Sequence, residues 1–303
     1  MHGADRQLPL GNEIFVDHVA YFAPHMVEAE RAMARLGLTL SPFTPQTSPR
    51  GPGEPPAPVG MANRCALLER GYIEILTTTG EARTPLVEQF EAAVGRHAGV
   101  HLLAFSCTDP HAHGARLAEA GFAPQPMVAL QRTIETEHGP DLLRFSVLRI
   151  RPGLMPEGRI QMLAHHTPDL LWQRRWMHHP ARLRALTDVA LCVADVEEAA
   201  ERFARFTGLA ARSRGRGRVI ETARGRVALL PPGAVPGAPD VRPPCFAAVG
   251  VETADLDFTL AHWKSTDIEP QIRADTWAVV GAGDALGTAL AVLSPGRAPP
   301  WLL

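Results

Sequence analysis

Four cysteines in 303 residues, Cys65, Cys107, Cys192 and Cys245, are too few and too scattered for a disulfide framework or a Cys-x-x-Cys metal site. Three of them sit in strand-like apolar runs, where a reduced buried thiol is expected, as in a cytoplasmic protein. No apolar stretch approaches the roughly 20 residues of a membrane span. Met1 to Gln7 leads into no apolar run, so no signal peptide is expected. Neither sign of charge is in excess: 30 Lys and Arg stand against 32 Asp and Glu, a formal charge of -2, which excludes a basic field for nucleic acid. The run Arg212 to Arg218 is short and reads as a solvated hairpin turn. No G-x-S-x-G elbow occurs. Gly215-Arg-Gly217 and Gly281-Ala-Gly283 lack the strand–turn–helix setting of a dinucleotide loop, so no nucleotide cofactor is expected. His178-His179 has no Cys or carboxylate at metal spacing.

What remains is ordinary globular material, 46% hydrophobic and 20% charged, long enough for two domains. The 28 prolines favour many short elements. Phe15 to Phe22 alternates as a strand, with Val16, His18, Ala20 and Phe22 on one face and Phe15, Asp17, Val19 and Tyr21 on the other. A helical stripe at positions 26, 29, 33 and 36 follows and stops at Gly37. Leu38 to Phe43 reads as a short strand. The Pro- and Gly-rich Thr44 to Pro58 reads as a lid or a disordered loop. Asn63 to Leu68 and Tyr72 to Thr77 read as a hairpin through Arg70-Gly71, which sets Glu74 opposite Leu67 and Asn63 opposite Thr78.

Thr84 to Gly95 is a connecting helix. The strand–helix–Gly unit then recurs three times, from Val100, Leu186 and Phe246. The helices of these units run from about Pro110, Val196 and Leu256. Strands follow at Leu143 to Ile150 and Arg159 to Ala164, at Arg218 to Thr222 and Arg226 to Leu230, and at Trp277 to Val280 and Thr288 to Leu293. His166 to Pro180 reads as a helical connector with Thr167 as N-cap and Trp172 and Trp176 on one face. Such a connector would pack two tryptophans into an interdomain groove or cover a ligand.

Asp17-His18-Val19-Ala20, Gly60-Met61-Ala62-Asn63-Arg64, Gly71-Tyr72-Ile73-Glu74-Ile75 and Thr167-Pro168…Trp172-Gln173-Arg174-Arg175-Trp176…His179-Pro180 carry a family resemblance. The repeat resembles the βαβββ module of the vicinal oxygen chelate superfamily, which includes glyoxalases, fosfomycin- and bleomycin-resistance proteins and extradiol dioxygenases. More closely, it resembles the glyoxalase-like family of two-domain bacterial proteins. The resemblance implies an α+β fold of four βαβββ modules paired into two cupped mixed sheets. The first domain would span 1–165, a helical connector 166–184, and a second, degenerate domain 185–303.

The same resemblance implies metal ligands on the first and last strands of each module. First-strand positions, aligned by their distance to the following helix, are His18, Leu102, Asp188 and Ala248. Last-strand positions are Glu74, Gln161, Ala228 and either Leu290 or Ala291. The second domain then offers one carboxylate and cannot hold a metal. The first offers His18, Glu74 and Gln161 as a partial set for one divalent ion (Zn, Fe, Mn or Ni), bound weakly or absent. His101, next to Leu102, points away by pleat parity.

Glu74 is the candidate general base, since a carboxylate in an apolar cup has a raised pKa unless paired, with Arg64 the alternative partner. His165 is a second candidate acid–base or ligand group. Asn63, Cys65, Leu102, Trp172 and Trp176 are candidate substrate contacts. The expected function is a lyase or isomerase acting on a small oxygenated carbonyl compound. A metal-free binding or sequestering protein is the alternative, a side-chain-filled scaffold a further option, and extradiol-type dioxygenation is disfavoured by the missing two-His-one-carboxylate set. The partner is a small molecule, with no nucleic acid or membrane; a homodimer is left open.

Overall fold

The strand Phe15–Phe22 is buried along its whole length, as befits a strand with neighbours on both sides and cover on both faces. It is β1 of the computed structural model, which describes residues 6–49 and 54–303. The first module continues with helix α1 (Met26–Arg35) and strands β2 (Thr44–Pro49), β3 (Pro56–Leu67) and β4 (Tyr72–Thr78). Helix α2 (Pro85–Val94) leads to the second module: β5 (Gly99–Ser106), α3 (Pro110–Glu119), β6 (Val128–Thr136), β7 (Gly139–Arg149) and β8 (Arg159–His165). After the short α4 (Pro168–Leu171) comes the third: β9 (Leu183–Cys192), α5 (Val196–Thr207), β10 (Ala211–Arg214), β11 (Gly217–Glu221) and β12 (Arg226–Leu230). The fourth is β13 (Cys245–Thr253), α6 (Leu256–Ser265), β14 (Ile272–Ala274), β15 (Trp277–Val280) and β16 (Ala289–Leu293).

Two eight-stranded mixed sheets result, ordered β2-β3-β4-β1-β5-β8-β7-β6 and β10-β11-β12-β9-β13-β16-β15-β14. In each, two modules meet where their first strands pair antiparallel, while each module's first and last strands pair parallel. The edge strands β2 and β6 lie against each other, so the first sheet curls into a nearly closed cup. The α+β fold of paired βαβββ modules expected from the sequence is the fold found.

Local chemistry explains the helix starts. Asp109, Asp195 and Asp255 cap α3, α5 and α6 by accepting from backbone N–H groups of the first turn, and Thr84 caps α2 ahead of Pro85. These caps lie seven residues after Leu102, Asp188 and Ala248, and His25 holds the same place after His18. The helix-bearing faces of both sheets share one core, with Val16, Val19, Leu103 and Phe105 packed with Val189, Phe203 and Trp263. Ala20, Phe22, Leu76, Leu102, Ala104, Phe145 and Leu163 line the inside of the first cup.

Several local expectations need correction. Leu38 to Phe43 forms no strand. The part of Thr44 to Pro58 among the described residues is not a lid but strand β2 and the start of β3, with prolines tolerated because β2 is an edge; residues 50–53 lie outside the described residues. The β3–β4 register pairs Cys65 with Glu74 and Asn63 with Leu76, two residues from the expected pairing, because the turn runs from Leu68 to Gly71. A two-residue slip keeps every side chain on its face. Gly71 takes φ +73°, and a Cβ there would meet the carbonyl oxygen of Asp17 at 2.8 Å. The connector is one turn of α4 and a 3-10 turn at Arg174–Trp176, broken at Trp172 with ψ 61°, so Trp172 and Trp176 share no helical face. Thr167 does not cap α4; its hydroxyl accepts from the Arg144 N–H and docks the connector on β7.

Candidate active site in the first cup

The site begins with a break in strand regularity. Between Val16 and His18 the β1–β5 ladder skips a residue, so Asp17 is the extra residue of a β-bulge. Val16 therefore packs with the helix-side core, while His18, Ala20 and Phe22 face the cup. The simple alternation that grouped Val16 with His18 and sent Asp17 to the far side fails for this reason. The partner strand breaks its ladder at His101, between Leu102 and Val100. His101 accordingly does not point away: its ring lies 5.4 Å from that of Phe22. The second sheet has equivalent breaks at Thr187 and Ala247.

All four first strands thus place a bulge one residue before the position aligned with His18. Two residues further on, each pairs with a last strand: Ala20 with Glu74, Ala104 with Gln161, Ala190 with Ala228, and Gly250 with Ala291. The register selects Ala291 over Leu290.

Asp17 is fully buried and holds two histidines. Its Oδ2 lies 2.8 Å from His18 Nδ1 and its Oδ1 lies 3.0 Å from His165 Nε2. Burial alone would raise its pKa, but the imidazoles of His165 and His18 hold the carboxyl far below the usual range. A carboxylate only accepts, so each contacting ring nitrogen carries the proton. His18 then presents Nε2 on the cup side, 3.8 Å from Glu74 Oε2.

The other oxygen of Glu74 accepts from the Asn63 amide, whose Oδ1 accepts in turn from Arg132 Nη1 at 3.0 Å. A continuous chain, Arg132–Asn63–Glu74…His18–Asp17–His165, crosses the cup. Glu74 is therefore not in an apolar setting, nor paired with Arg64, which binds Glu30 at 2.6 Å. Tyr72 stacks on His18 at 4.3 Å, and Trp172 closes the layer 4.8 Å from His165 and edge-on to Tyr72.

The donor set fits a divalent metal. His18 Nε2 and Glu74 Oε2 face each other at 3.8 Å, beyond hydrogen-bond reach, and an acidic residue on the far ring nitrogen is the usual support of a metal-bound histidine. Gln161 is buried and its Oε1 has no partner. Among the described residues no three His, Cys, Asp or Glu side chains gather as a metal group, so the third protein donor would be the Gln161 amide. Leu102, the counterpart of His18, contributes only packing.

A cavity of 360 Å³ opens above this layer, lined by Asn63, Cys65, Tyr72, Arg132, Leu143 and Trp176 among others. Its floor stops at Asn63 and Tyr72; His18 and Glu74 lie just behind, 4% and 6% exposed. Trp172 is packing behind the cavity, whereas Trp176 is part of its wall. Burial, reinforced by Glu74, pushes the Cys65 thiol well above its ordinary value.

Asp17 and Arg132 were not singled out by sequence reasoning. The first was hidden by the bulge; the second lies on β6, whose Val128-Ala-Leu-Gln-Arg-Thr-Ile134 mixes polar and apolar residues without clear turn signals. Arg132 alternates with Leu130 and Ile134, the one signal that could have found it.

The second cup differs. Ala190, Ala228, Ala248 and Ala291 face side chains that fill it, including Trp301 and Leu302. Asp188 is held by Arg226 through two bonds of 2.7 and 2.8 Å. Burial raises the Asp188 pKa in spite of that arginine.

A family model described as a glyoxalase-like domain matches residues 16–223. No curated protein matches the chain in sequence. Among solved structures, a hypothetical protein from Staphylococcus aureus superposes with TM-score 0.64 at 8% identity, over 93% of this chain and 99% of that one. A mutant 4-hydroxymandelate synthase from Streptomyces coelicolor gives 0.56 at 14% identity, over 95% and 94%. The Mn(II)-bound glyoxalase from Novosphingobium aromaticivorans gives 0.53 at 12% identity, over 94% and 83%. At such identities the likeness is one of fold.

Proposed function

Since the chain belongs to the glyoxalase-like domain family of the vicinal oxygen chelate superfamily, we propose that its first cup is the active site of a lyase or isomerase for a small oxygenated carbonyl compound. The observation that carries this reading is Glu74, a buried carboxylate held by Asn63 on one oxygen and facing His18 Nε2 at 3.8 Å with the other. A carboxylate so fixed can take a proton from the carbon next to a carbonyl, at a stroke worth roughly 10²–10⁴ in rate. Arg132 lines the cavity and is positioned against Asn63, so its guanidinium can hold the oxygen on which negative charge develops. Trp176, Leu143 and Cys65 supply apolar wall, and Asp17 keeps the His18 tautomer fixed.

The Mn(II)-bound neighbour supports a divalent ion in such cups. Here His18 Nε2, Glu74 and Gln161 would hold it, with Zn, Fe, Mn and Ni all compatible with this donor set. Bound there, the ion supplies Lewis-acid polarisation of the substrate oxygen.

A second reading, metal-free binding or sequestering, draws support from Leu102 in the fourth position. The experiment is solvent-deuterium exchange next to the carbonyl of 2-oxo and 2-hydroxy compounds, followed by NMR with metal content measured in parallel. Exchange by the wild type that is lost in Glu74→Gln supports the enzyme. Tight binding without exchange by either protein, and no stoichiometric metal, supports the sequestering reading.

A further inference from the structure

A second cavity, of 560 Å³, shares no lining residue with the first. It lies under α2 and the loop after β7, against Phe22 at the end of β1 and Arg159 at the start of β8. Four arginines, Arg96, Arg149, Arg151 and Arg159, line it, and none of its lining residues is Asp or Glu. That imbalance is unusual for a chain of net charge -2. Arg149 and Arg159 are half-buried and Arg96 and Arg151 exposed, and cations gathered in this way without a carboxylate favour the arrival of something negative.

The two arginines deepest in the wall are the least provided for. Arg149 Nε is buried with no hydrogen-bond partner. Arg159 has a 3.3 Å bond to the neutral Gln89 amide and lies over the Phe22 ring at 5.5 Å. Among the described residues neither forms an ion pair. Both strands face their side chains into the same cup, since Arg149 pairs with Gln161 and Arg159 with Leu102. Arg96 is engaged by the Pro244 carbonyl, and Arg151 is exposed on the rim. Burial first, then the neighbouring Arg149 charge, pushes the Arg159 pKa down to about 10 in spite of Glu74. Burial also lowers Arg149.

We infer that this cavity binds a small anion through a phosphoryl or paired-carboxylate group held by the guanidiniums of Arg149 and Arg159. Guanidinium forks suit such oxygens because two parallel N–H donors meet two acceptors, and 560 Å³ is room for a metabolite-sized molecule. Phe22, Val59 and Leu86 in the same wall would receive an apolar body attached to the anionic end. This site stands whether or not Glu74 is a base, because its measurement is binding and not turnover.

The test is calorimetric titration of the full chain at low ionic strength with inorganic phosphate and, separately, malonate. Saturable one-to-one binding of at least one is expected, weakened about tenfold or more in Arg149→Gln and Arg159→Gln and little changed in Arg151→Gln. Binding of phosphate alone assigns a phosphoryl ligand, and of malonate alone a dicarboxylate. No binding of either, or an equal loss in Arg151→Gln, overturns the site. Should either deep variant fail to fold, phenylglyoxal modification of the wild type mapped by mass spectrometry decides. Protection of Arg149 and Arg159 by the anion is expected, and an absence of protection overturns the inference.

Discussion

Asp17 and His18 are neighbours in sequence and hydrogen-bonded in space, with Nδ1 and Oδ2 2.8 Å apart. Regular strand geometry sends adjacent side chains to opposite faces. The bulge at Asp17 cancels that rule and leaves a carboxylate behind the histidine that faces the cup. The functional layer depends on this one irregularity.

The pH dependence of stability should show it. The folded-state pKa of Asp17 lies below its value in the unfolded chain, so its contribution is present in full above about pH 4 and is lost as pH falls further. Asp17→Asn breaks a buried charged network and is expected to cost roughly 3–5 kcal/mol at neutral pH. Urea unfolding from pH 7 to pH 3 should show the gap between wild type and variant closing below pH 4. A gap constant with pH would contradict the network.

Metal affinity should respond to the same residue. Asp17→Asn is expected to weaken Mn(II) or Zn(II) binding about 10- to 100-fold, the usual effect of removing a histidine's outer partner. Leu102→His, which places an imidazole at the counterpart of His18, should strengthen it. Titration calorimetry on chelator-stripped protein reads both, and a Leu102→His variant no tighter than wild type would count against the paired-module geometry.

Cys65 and Cys107 should be inert in the native protein. Burial pushes Cys107 up to about 12 and Cys65 higher still. Both should resist iodoacetamide at pH 8 and react on denaturation, read by peptide mass spectrometry. Ready native alkylation of either would mean the cup opens widely.

Changes in the second cup should touch stability alone. Arg226→Met leaves the buried Asp188 without its bidentate partner, at an expected cost of roughly 3–5 kcal/mol. Ligand binding in the first cup should be unaltered. An equal loss of binding in folded Arg226→Met protein would show that the two cups communicate.

The fold was legible because its signals are local. Helix caps at Asp109, Asp195 and Asp255 fix where three of the modules turn, and counting back from them finds Leu102, Asp188 and Ala248 as the counterparts of His18. Glu74 was visible as a charge inside Tyr72-Ile73-Glu74-Ile75. The rest was hidden for physical reasons. A bulge is set by pairing between distant strands, so nothing near Asp17 or His101 announces it. Strands β2 and β6 are edges, where prolines, threonines and arginines are tolerated; β2 reads as part of a Pro-rich loop, and β6 carries no strand signal strong enough to be noticed. Arg132, Arg149 and Arg159 sit in strands where a cation is ordinarily assumed to face water; the closing of β2 on β6 shields the first, while α2 and the loop after β7 wall in the other two.

The matched bulges at Asp17 and His101 carry a consequence for how such a cup can diverge. Each offsets its strand by one residue through the backbone, whatever the side chain. Residue identity at these places is free to change without moving the sheet, whereas gaining or losing one residue would turn the strand inside out. One half of the cup could therefore keep an Asp-His pair while the other came to hold His-Leu, with the shape inherited intact and the chemistry no longer symmetric.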